Sequence, residues 1–237
     1  MKDAARALLR RLPPSLAYRL IAAQFRRQEP ELRDLAAFVP PDRPAVDVGA
    51  WWGPWTYWLS RHVPLVYAFE PQPEPASFLR RVSGSRVRVI EAALADASGE
   101  AELVVPDSAV GQDALAHLRR VSGEVGAVVR VDLKRLDDYE LSDAGFIKID
   151  VEGHELAVLR GAAQTLARCA PVIFVEIEQR HSQVPMAETF DYLAQAGYAG
   201  AYRSHRRWQP LDTFDVAVHQ ARPGTREYVN NFLFRPT

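Results

Sequence analysis

The stretch VDVGAWWG at residues 46–53 indicates an α/β fold, because it joins a short apolar run to a glycine-bearing turn and then to a helical segment. One acid, Asp47, interrupts the apolar run. Ligands of open α/β sheets bind where the strands end, and this turn directly follows a strand. Gly49 lets the backbone approach a ligand because glycine has no Cβ atom, and Gly53 could do the same at the helix start. The stretch predicts a ligand site, with a tight turn that binds nothing as the alternative.

The spacing of these glycines restricts the ligand. Glycines at 49 and 53 do not form the G-x-G-x-x-G pattern that seats a pyrophosphate at a helix N-terminus. A ligand without a pyrophosphate is therefore favoured. A nicotinamide oxidoreductase on the same kind of sheet is a rival that the missing pattern disfavours.

Short apolar runs alternate with helical stretches beyond this turn, which is typical of a parallel sheet with helices on both faces. The predicted main strands cover residues 45–48, 65–69, 87–90, 146–149 and 172–175, and the predicted helices cover residues 55–61, 75–81 and 155–168. Further strands are predicted at residues 100–105, 128–131, 214–218 and 231–235, the last two as an antiparallel edge. Residues 106–125 are expected to form a loop with a short helix.

The chain has 237 residues, which suits one α/β domain with a modest extension. We predict an N-terminal helical extension over residues 1–38 and a Rossmann-like domain over residues 39–237. The formal net charge is -1, so the chain has no overall excess of positive charge to bind a phosphate backbone. We therefore expect no nucleic-acid partner. The single cysteine, Cys169, excludes an internal disulfide and a cysteine metal cluster. Because no apolar signal core or bilayer-spanning run is visible, we expect a cytoplasmic enzyme.

Residues 1–27 combine a rough apolar stripe with interleaved arginines. A basic amphipathic helix of this kind can lie weakly on an anionic membrane surface. It can also cover the core, or the partner subunit of a homodimer, while its arginines stay in water. The apolar face carries no concentration of aromatic anchors, so covering is favoured over membrane contact.

Phe69-Glu70-Pro71 ends the second predicted strand, and Glu70 follows Asp47 by 23 positions. A carboxylate at this position can accept hydrogen bonds from both hydroxyls of a ribose. The alternative is a solvated acid before a proline turn. Because the acid is in register with the glycine turn, the ribose interpretation is favoured.

Four ionisable residues cluster where the fourth main strand meets its helix: Asp150, Glu152, His154 and Glu155. Acids in the first turn of a helix interact favourably with the helix dipole. This stabilising effect can account for Glu155 and Glu152 without a role at the site. Asp150 directly ends an apolar strand, which favours a role at the site. His154 is a candidate general base because the reference pKa of histidine is about 6.5, and a partly buried polar residue is the alternative.

Glu176 ends the fifth main strand and is expected at the same sheet edge as Asp150. Together with His181, these residues form a candidate oxygen-rich site for a divalent ion such as Mg²⁺. Alternatively, the two carboxylates bind backbone groups or the hydroxyls of a sugar acceptor. The sequence leaves both interpretations open.

In their order and spacing these motifs resemble the FkbM family of methyltransferases. The resemblance rests on segments 46–50, 69–71, 93–96, 136–137 and 147–155, together with Gly53, Thr56, Gly99 and Glu176. It covers roughly residues 44–182, with a closing strand at 231–235.

The resemblance implies a class I methyltransferase fold, an α/β Rossmann-like architecture with a mostly parallel seven-stranded sheet, an antiparallel edge strand and helices on both faces. It implies S-adenosyl-L-methionine as methyl donor and O-methylation of a sugar, glycolipid, polysaccharide or natural-product hydroxyl. The implied cofactor-binding residues are Asp47, Gly49, Ala50, Gly53, Thr56, Glu70, Glu91, Ala92 and Asp150. The candidate catalytic residues are Asp150, His154 and Glu176.

One departure from the family pattern concerns the glycine turn. Family loops usually read glycine-alanine-asparagine, whereas Trp51 replaces the asparagine here and Trp52 follows. Either Thr56 and backbone amides replace the missing side-chain amide, or the donor site is reshaped. The departure favours one alternative function, a non-catalytic S-adenosylmethionine-binding module; a methyltransferase of non-sugar small molecules is another. Trp55 and Trp58 are expected to pack against the N-terminal extension.

Overall fold

The computed structural model describes residues 12–106, 126–182, 184–204, 207–225 and 227–237, so most of the predicted loop at 106–125 lies outside it. The strands are β1 (Ala45–Val48), β2 (Val66–Phe69), β3 (Val87–Ile90), β4 (Ala93–Leu94), β5 (Gly99–Pro106), β6 (Gly126–Lys134), β7 (Phe146–Ile149), β8 (Val172–Glu176), β9 (Tyr198–Ser204), β10 (Arg207–Pro210) and β11 (Asn231–Pro236). The helices are α1 (Pro14–Gln28), α2 (Pro54–Leu59), α3 (Pro73–Val82), α4 (Glu155–Arg160), α5 (Ala163–Cys169), α6 (Met186–Gln195) and α7 (Val216–His219). Short 3-10 turns occupy Pro30–Arg33, Leu35–Ala37, Leu136–Tyr139 and Leu211–Thr213.

The main sheet has eight strands in the order β10-β9-β11-β8-β7-β1-β2-β3. The strands β3, β2, β1, β7 and β8 run parallel, which confirms the predicted Rossmann-like sheet. The central position of β1 brings its carboxyl end between those of β2 and β7. The sheet has one strand more than predicted, and β4, β5 and β6 form a separate small sheet.

Two predictions near the C-terminus need correction. Residues 214–218 do not form a strand, because Asp215 caps α7 by accepting a hydrogen bond from the backbone N–H of Ala217 at 2.8 Å. An aspartate in this cap position favours a helix start over an extended chain. Residues 231–235 do form a strand, β11, but it lies inside the sheet between β8 and β9. The antiparallel edge strand is β10 instead.

The predicted helix over residues 155–168 is divided into α4 and α5 around Gly161. The backbone of Gly161 packs so closely on the chain after β4 that a Cβ atom would lie 1.9 Å from the Ala95 carbonyl oxygen. This close approach requires glycine, which ends the first helix there.

Alternating residues of the parallel strands bury two different faces of the sheet. Val46 belongs to a core that includes α4, α5 and α6, whereas its neighbour Ala45 faces α2 and the segment before β1. By the same alternation, Asp47 and Lys148 lie on the second face, where Lys148 approaches the Trp55 ring. The face covered by the N-terminal segment therefore carries two buried ionisable side chains.

Helix α1 packs against α2 through two tryptophans. Trp58 donates its indole N–H to the carbonyl of Ala22 at 2.9 Å, and Trp55 donates to the carboxylate of Glu29 at 2.6 Å. These contacts confirm that both tryptophans hold α2 against the N-terminal segment. The domain boundary at residue 38 stays a prediction.

The outer side of α1 exposes two leucines, Leu16 and Leu20. Within the part of the chain that the structure describes, no helix combines the length and apolar character needed to cross a membrane. Weak membrane-surface contact and a homodimer stay predictions from the sequence. Residues 1–11 of the basic stripe lie outside the described residues.

Gly53 leads into α2 in a left-handed conformation, with φ of 79°. An added Cβ atom would lie 2.3 Å from Leu79 Cδ2 and 2.9 Å from the Tyr18 ring. We expect Gly53→Ala to lower the free energy of unfolding by about 2 kcal/mol, because left-handed strain and close contacts add. Urea unfolding measures the change. In the control Gly84→Ala nothing lies within 4 Å of the added Cβ, so equal losses in both variants would contradict this packing.

Candidate functional site

Two cavities open near the carboxyl ends of the parallel strands. The first, here called the strand-end cleft, is lined by residues that follow β1, β2, β3 and β7. The second, here called the side cavity, lies between residues 27–34 and residues 224–231, with Glu176 at the end of β8 on its wall. The strand-end cleft stands where open α/β sheets bind ligands.

The turn after β1 touches the turn after β7 directly. Gly49 has φ of 77°, and a Cβ atom on it would lie 1.9 Å from the Asp150 carbonyl oxygen. The backbone N–H groups of Gly49 and Ala50 both donate to the carbonyl of Phe69 at the end of β2. Only glycine fits where these three strand ends converge, and Gly49 and Ala50 both line the strand-end cleft.

Glu70 is a buried carboxylate on the wall of the strand-end cleft. One oxygen accepts the backbone N–H of Trp51 at 2.6 Å, and the other accepts that of Gln72 at 2.8 Å. Burial raises the pKa of Glu70 to about 7, against the lowering effect of these two hydrogen bonds. Each oxygen keeps further lone-pair capacity, so the carboxylate can also accept hydrogen bonds from a ligand.

Trp51 adopts a left-handed backbone conformation with φ of 50°, which few residues with a side chain adopt. Its backbone N–H holds Glu70, and its ring packs on Phe25 with centroids 5.5 Å apart. The indole Nε1 is buried and has no hydrogen-bond partner among the described atoms. The tryptophan that departs from the family pattern therefore anchors the turn through its backbone, and the residue also lines the cleft.

Asp47, Gly53 and Thr56 lie outside the lining of both cavities described here. Asp47 is fully buried and accepts a hydrogen bond from the Thr56 hydroxyl at 2.5 Å. Burial raises the pKa of Asp47, and the nearby ammonium of Lys148 opposes this shift. The role of Asp47, Gly53 and Thr56 in cofactor binding stays a prediction.

Lys148 and Asp150 form an ion pair of 2.8 Å at the end of β7. The lysine side chain is 4% exposed and the aspartate side chain 31% exposed, so only Asp150 offers much surface to a ligand. Burial alone would lower the pKa of Lys148, but Asp150 and Asp47 together raise it above its ordinary value. The two carboxylates therefore favour the charged form of the lysine at the cleft.

Two further carboxylates end the neighbouring strands. Glu152 lines the strand-end cleft and pairs with His181. Burial raises the pKa of Glu152, while the hydrogen bond from His181 opposes the shift and raises the pKa of His181. Glu176 accepts a hydrogen bond from the side-chain amide of Asn230. Burial, and then the charge of Asp150, raise the pKa of Glu176 well above its usual range.

The predicted metal ligands Asp150, Glu176 and His181 are not grouped as a metal site. Across the described ranges, no set of three His, Cys, Asp or Glu residues stands close enough to hold a metal ion. His181 instead pairs with Glu152, and Glu176 is bound by Asn230. We therefore assign no metal to these residues.

Two other predicted site residues stand apart from both cavities as described. Glu91 is exposed and pairs with Arg80 at 2.7 Å, although its neighbour Ala92 lines the strand-end cleft. His154 precedes α4 and lines neither cavity. Glu29 lines both cavities, and no motif near it in the sequence indicates this position.

Residues 47–199 match the family described as the methyltransferase FkbM domain. The chain belongs to the FkbM methyltransferase family. Its relative from Beauveria bassiana (strain ARSEF 2860), named Methyltransferase 1, is 30% identical over 208 residues, which cover 76% of this chain and 80% of that protein. The family confirms the resemblance seen in the motifs and places the chain among methyltransferases.

A crystal structure of an FkbM methyltransferase from Methylobacillus flagellatus KT shares the fold of this family member. The two superpose with a TM-score of 0.54 at 17% identity, and the match covers 97% of this chain. The chain spans 57% of the length of that structure's chain.

Glu155 of this FkbM methyltransferase gives a test of the buried electrostatics. It is buried, accepts the Gly153 backbone N–H at 2.7 Å, and has its pKa raised by burial to about 7. The folded state then binds a proton more tightly than the unfolded state between about pH 4.5 and 7, so stability falls as pH rises through this range. Glu155→Gln removes this contribution but keeps an oxygen acceptor.

We expect the melting temperature of the wild type to fall by several degrees more than that of Glu155→Gln between about pH 5 and pH 8. Differential scanning calorimetry at a series of pH values measures both slopes. Exposed Glu188→Gln, in the first turn of α6, is the matched control and should follow the wild type. Identical slopes for wild type and Glu155→Gln would contradict the raised pKa.

Proposed function

We propose that this FkbM methyltransferase transfers a methyl group from S-adenosylmethionine to a sugar hydroxyl, in a free sugar, a glycolipid, a polysaccharide or a natural product. The observation that carries the proposal is the strand-end cleft, in which Glu70, the Gly49 turn and the Lys148–Asp150 pair surround one space. Glu70 matches the ribose of this donor, and the Lys148–Asp150 pair matches its charged methionine end.

The lining of the strand-end cleft supports S-adenosylmethionine part by part. Its apolar wall suits the adenine and is formed by Phe69, Ala92, Ala93, Leu94 and Leu103. Glu70 suits the ribose hydroxyls, and the partly exposed carboxylate of Asp150 suits the ammonium group of the methionine end. The unpaired Trp51 Nε1 leaves a buried donor for a ligand to satisfy.

The bound donor supplies a methyl group that is already activated on a sulfonium sulfur. The residues of the chain then have to align the acceptor and exclude water. We assign Asp150 and Glu176 to orienting the acceptor hydroxyl, because they end neighbouring strands and interact electrostatically. His154 receives no proton-transfer role because it does not line the cavities described.

The side cavity supports a sugar as the acceptor. It has a volume of about 1210 Å³ and is lined mainly by polar and charged residues. Its carboxylates and amides include Glu31, Asp34, Glu176, Asn230 and Asn231, and its cations are Arg27, Arg33 and Arg203. Carboxylates accept hydrogen bonds from hydroxyls, and arginines donate to hydroxyl and ring oxygens. An apolar natural product would shield these polar groups from water without offering them hydrogen bonds.

A non-catalytic donor-binding module is the alternative that the Trp51 departure favours. The departure supports this alternative less than expected from the sequence, because Trp51 holds Glu70 through its backbone N–H rather than through its side chain. The side cavity beside the donor cleft favours an enzyme with a second substrate.

Donor binding is tested with Glu70→Gln. We expect the dissociation constant of S-adenosylhomocysteine, measured by isothermal titration calorimetry, to rise about tenfold to a hundredfold, because a charged acceptor of ribose hydroxyls is lost. Glu188→Gln should leave it unchanged. Unchanged affinity in Glu70→Gln would remove the ribose role, and no binding by the wild type would remove the proposed donor.

Methyl transfer is tested with radiolabelled S-adenosylmethionine and a mixture of methyl glycosides of hexoses and 6-deoxyhexoses. The wild type should label the glycosides, and Glu70→Gln should label them at least tenfold more slowly at a donor concentration below its dissociation constant. A wild type that binds the donor but labels no glycoside would contradict the sugar acceptor.

A further inference from the structure

We propose that Glu29, at the end of helix α1, is the general base that removes the proton from the acceptor hydroxyl. This inference rests on the proposed function. The geometry points to Glu29 because, among the described residues, it alone lines both the strand-end cleft and the side cavity. A donor in the cleft and an acceptor in the side cavity would therefore both lie beside Glu29.

The Glu29 side chain is held in place by the fold. Its Oε2 accepts the indole N–H of Trp55 at 2.6 Å. Trp55 is itself buried and packs on Phe174 with centroids 4.8 Å apart, so the donor is rigid. The backbone N–H of Glu29 donates to the carbonyl of Phe25 at 2.7 Å, which fixes the end of α1.

The charges around Glu29 suit a base that works near neutral pH. It faces Lys148 and Asp150 from β7, Glu176 from β8 and Glu31 from the following 3-10 turn. Burial raises the pKa of Glu29 to about 7, with Asp150 and Glu31 adding to the shift and Lys148 and the Trp55 hydrogen bond opposing it. A pKa near the working pH is the best compromise between ionisation and basicity.

The other carboxylates of the two cavities are less suited to this role. Both oxygens of Glu70 accept backbone N–H groups, and Asp150 is paired with Lys148. Glu152 pairs with His181. Glu176 lines only the side cavity and accepts the Asn230 amide. Glu31 and Asp34 also line only the side cavity, and both pair with Arg203.

Methyl transfer to the acceptor forms one bond, breaks one bond and releases one proton. The acceptor oxygen forms a bond to the methyl carbon while the carbon–sulfur bond breaks, and that electron pair stays on sulfur as a neutral thioether. The hydroxyl proton moves to the Glu29 carboxylate. Glu29 then returns the proton to water after the products leave.

With Glu29 as the base, the N-terminal segment takes part in catalysis. Glu29 lies before residues 47–199, the region that matches the family domain. The segment predicted to cover the core would also complete the reaction site, because the hydrogen bond from Trp55 of α2 holds Glu29 there.

The test measures single-turnover methyl transfer to the methyl glycoside mixture with saturating S-adenosylmethionine, from about pH 5 to pH 9. The wild-type rate should rise with pH around an apparent pKa of about 7, as Glu29 loses its proton. Glu29→Gln should be slower by about a hundredfold or more and should lose this rise. Trp55→Phe removes the hydrogen bond that lowers the pKa of Glu29, so its rise should move to higher pH.

S-adenosylhomocysteine affinity, measured by calorimetry on the same variants, separates the roles. Glu29→Gln should bind within about threefold of the wild type, as should Glu188→Gln, which should also keep the wild-type rate. If Glu29→Gln keeps the wild-type rate, or keeps the rise of the rate with pH, the base role is overturned. The base role is also overturned if Glu29→Gln loses enough affinity for S-adenosylhomocysteine to explain its slower rate. A wild type that transfers no methyl group overturns the proposed function itself, and the Glu29 role with it.

Discussion

The buried charge of Lys148 is the constraint on which the site depends. Its ammonium lies on the covered face of the sheet with almost no access to water, and such a charge is costly unless anions surround it. Asp150 pairs with it directly, and Asp47 stands beside it in register on β1. This requirement ties the ends of β1 and β7 together, and Gly49 permits their turns to touch. The strand-end cleft follows from that junction.

The covered face also explains why the N-terminal segment belongs to the site. Helix α1 closes over α2, and Trp55 connects the two by donating to Glu29 while its ring stands near Lys148. The same segment that shields the lysine from water thus delivers a carboxylate to the junction of the two cavities. In the proposed reaction, shielding and proton removal are therefore physically coupled, since loss of the segment would expose the ion pair and remove Glu29.

The sequence predicted the features that local pattern determines. The parallel strands are short apolar runs that end in an acid or a glycine, so Gly49, Glu70 and Asp150 were placed at the strand ends correctly. Exposure was harder to predict, because strand alternation turned Asp47 inward rather than toward the cleft. The position of Glu29 depends on a contact across 26 residues of sequence, which no local pattern encodes.

A crystal structure with S-adenosylhomocysteine and a methyl glycoside would locate the donor, the acceptor and the N-terminal segment together. We expect the ribose hydroxyls within hydrogen-bonding distance of Glu70, and an acceptor hydroxyl between the sulfur atom and the Glu29 carboxylate. A donor bound outside the strand-end cleft, or an acceptor hydroxyl that contacts no atom of Glu29, would contradict this expectation.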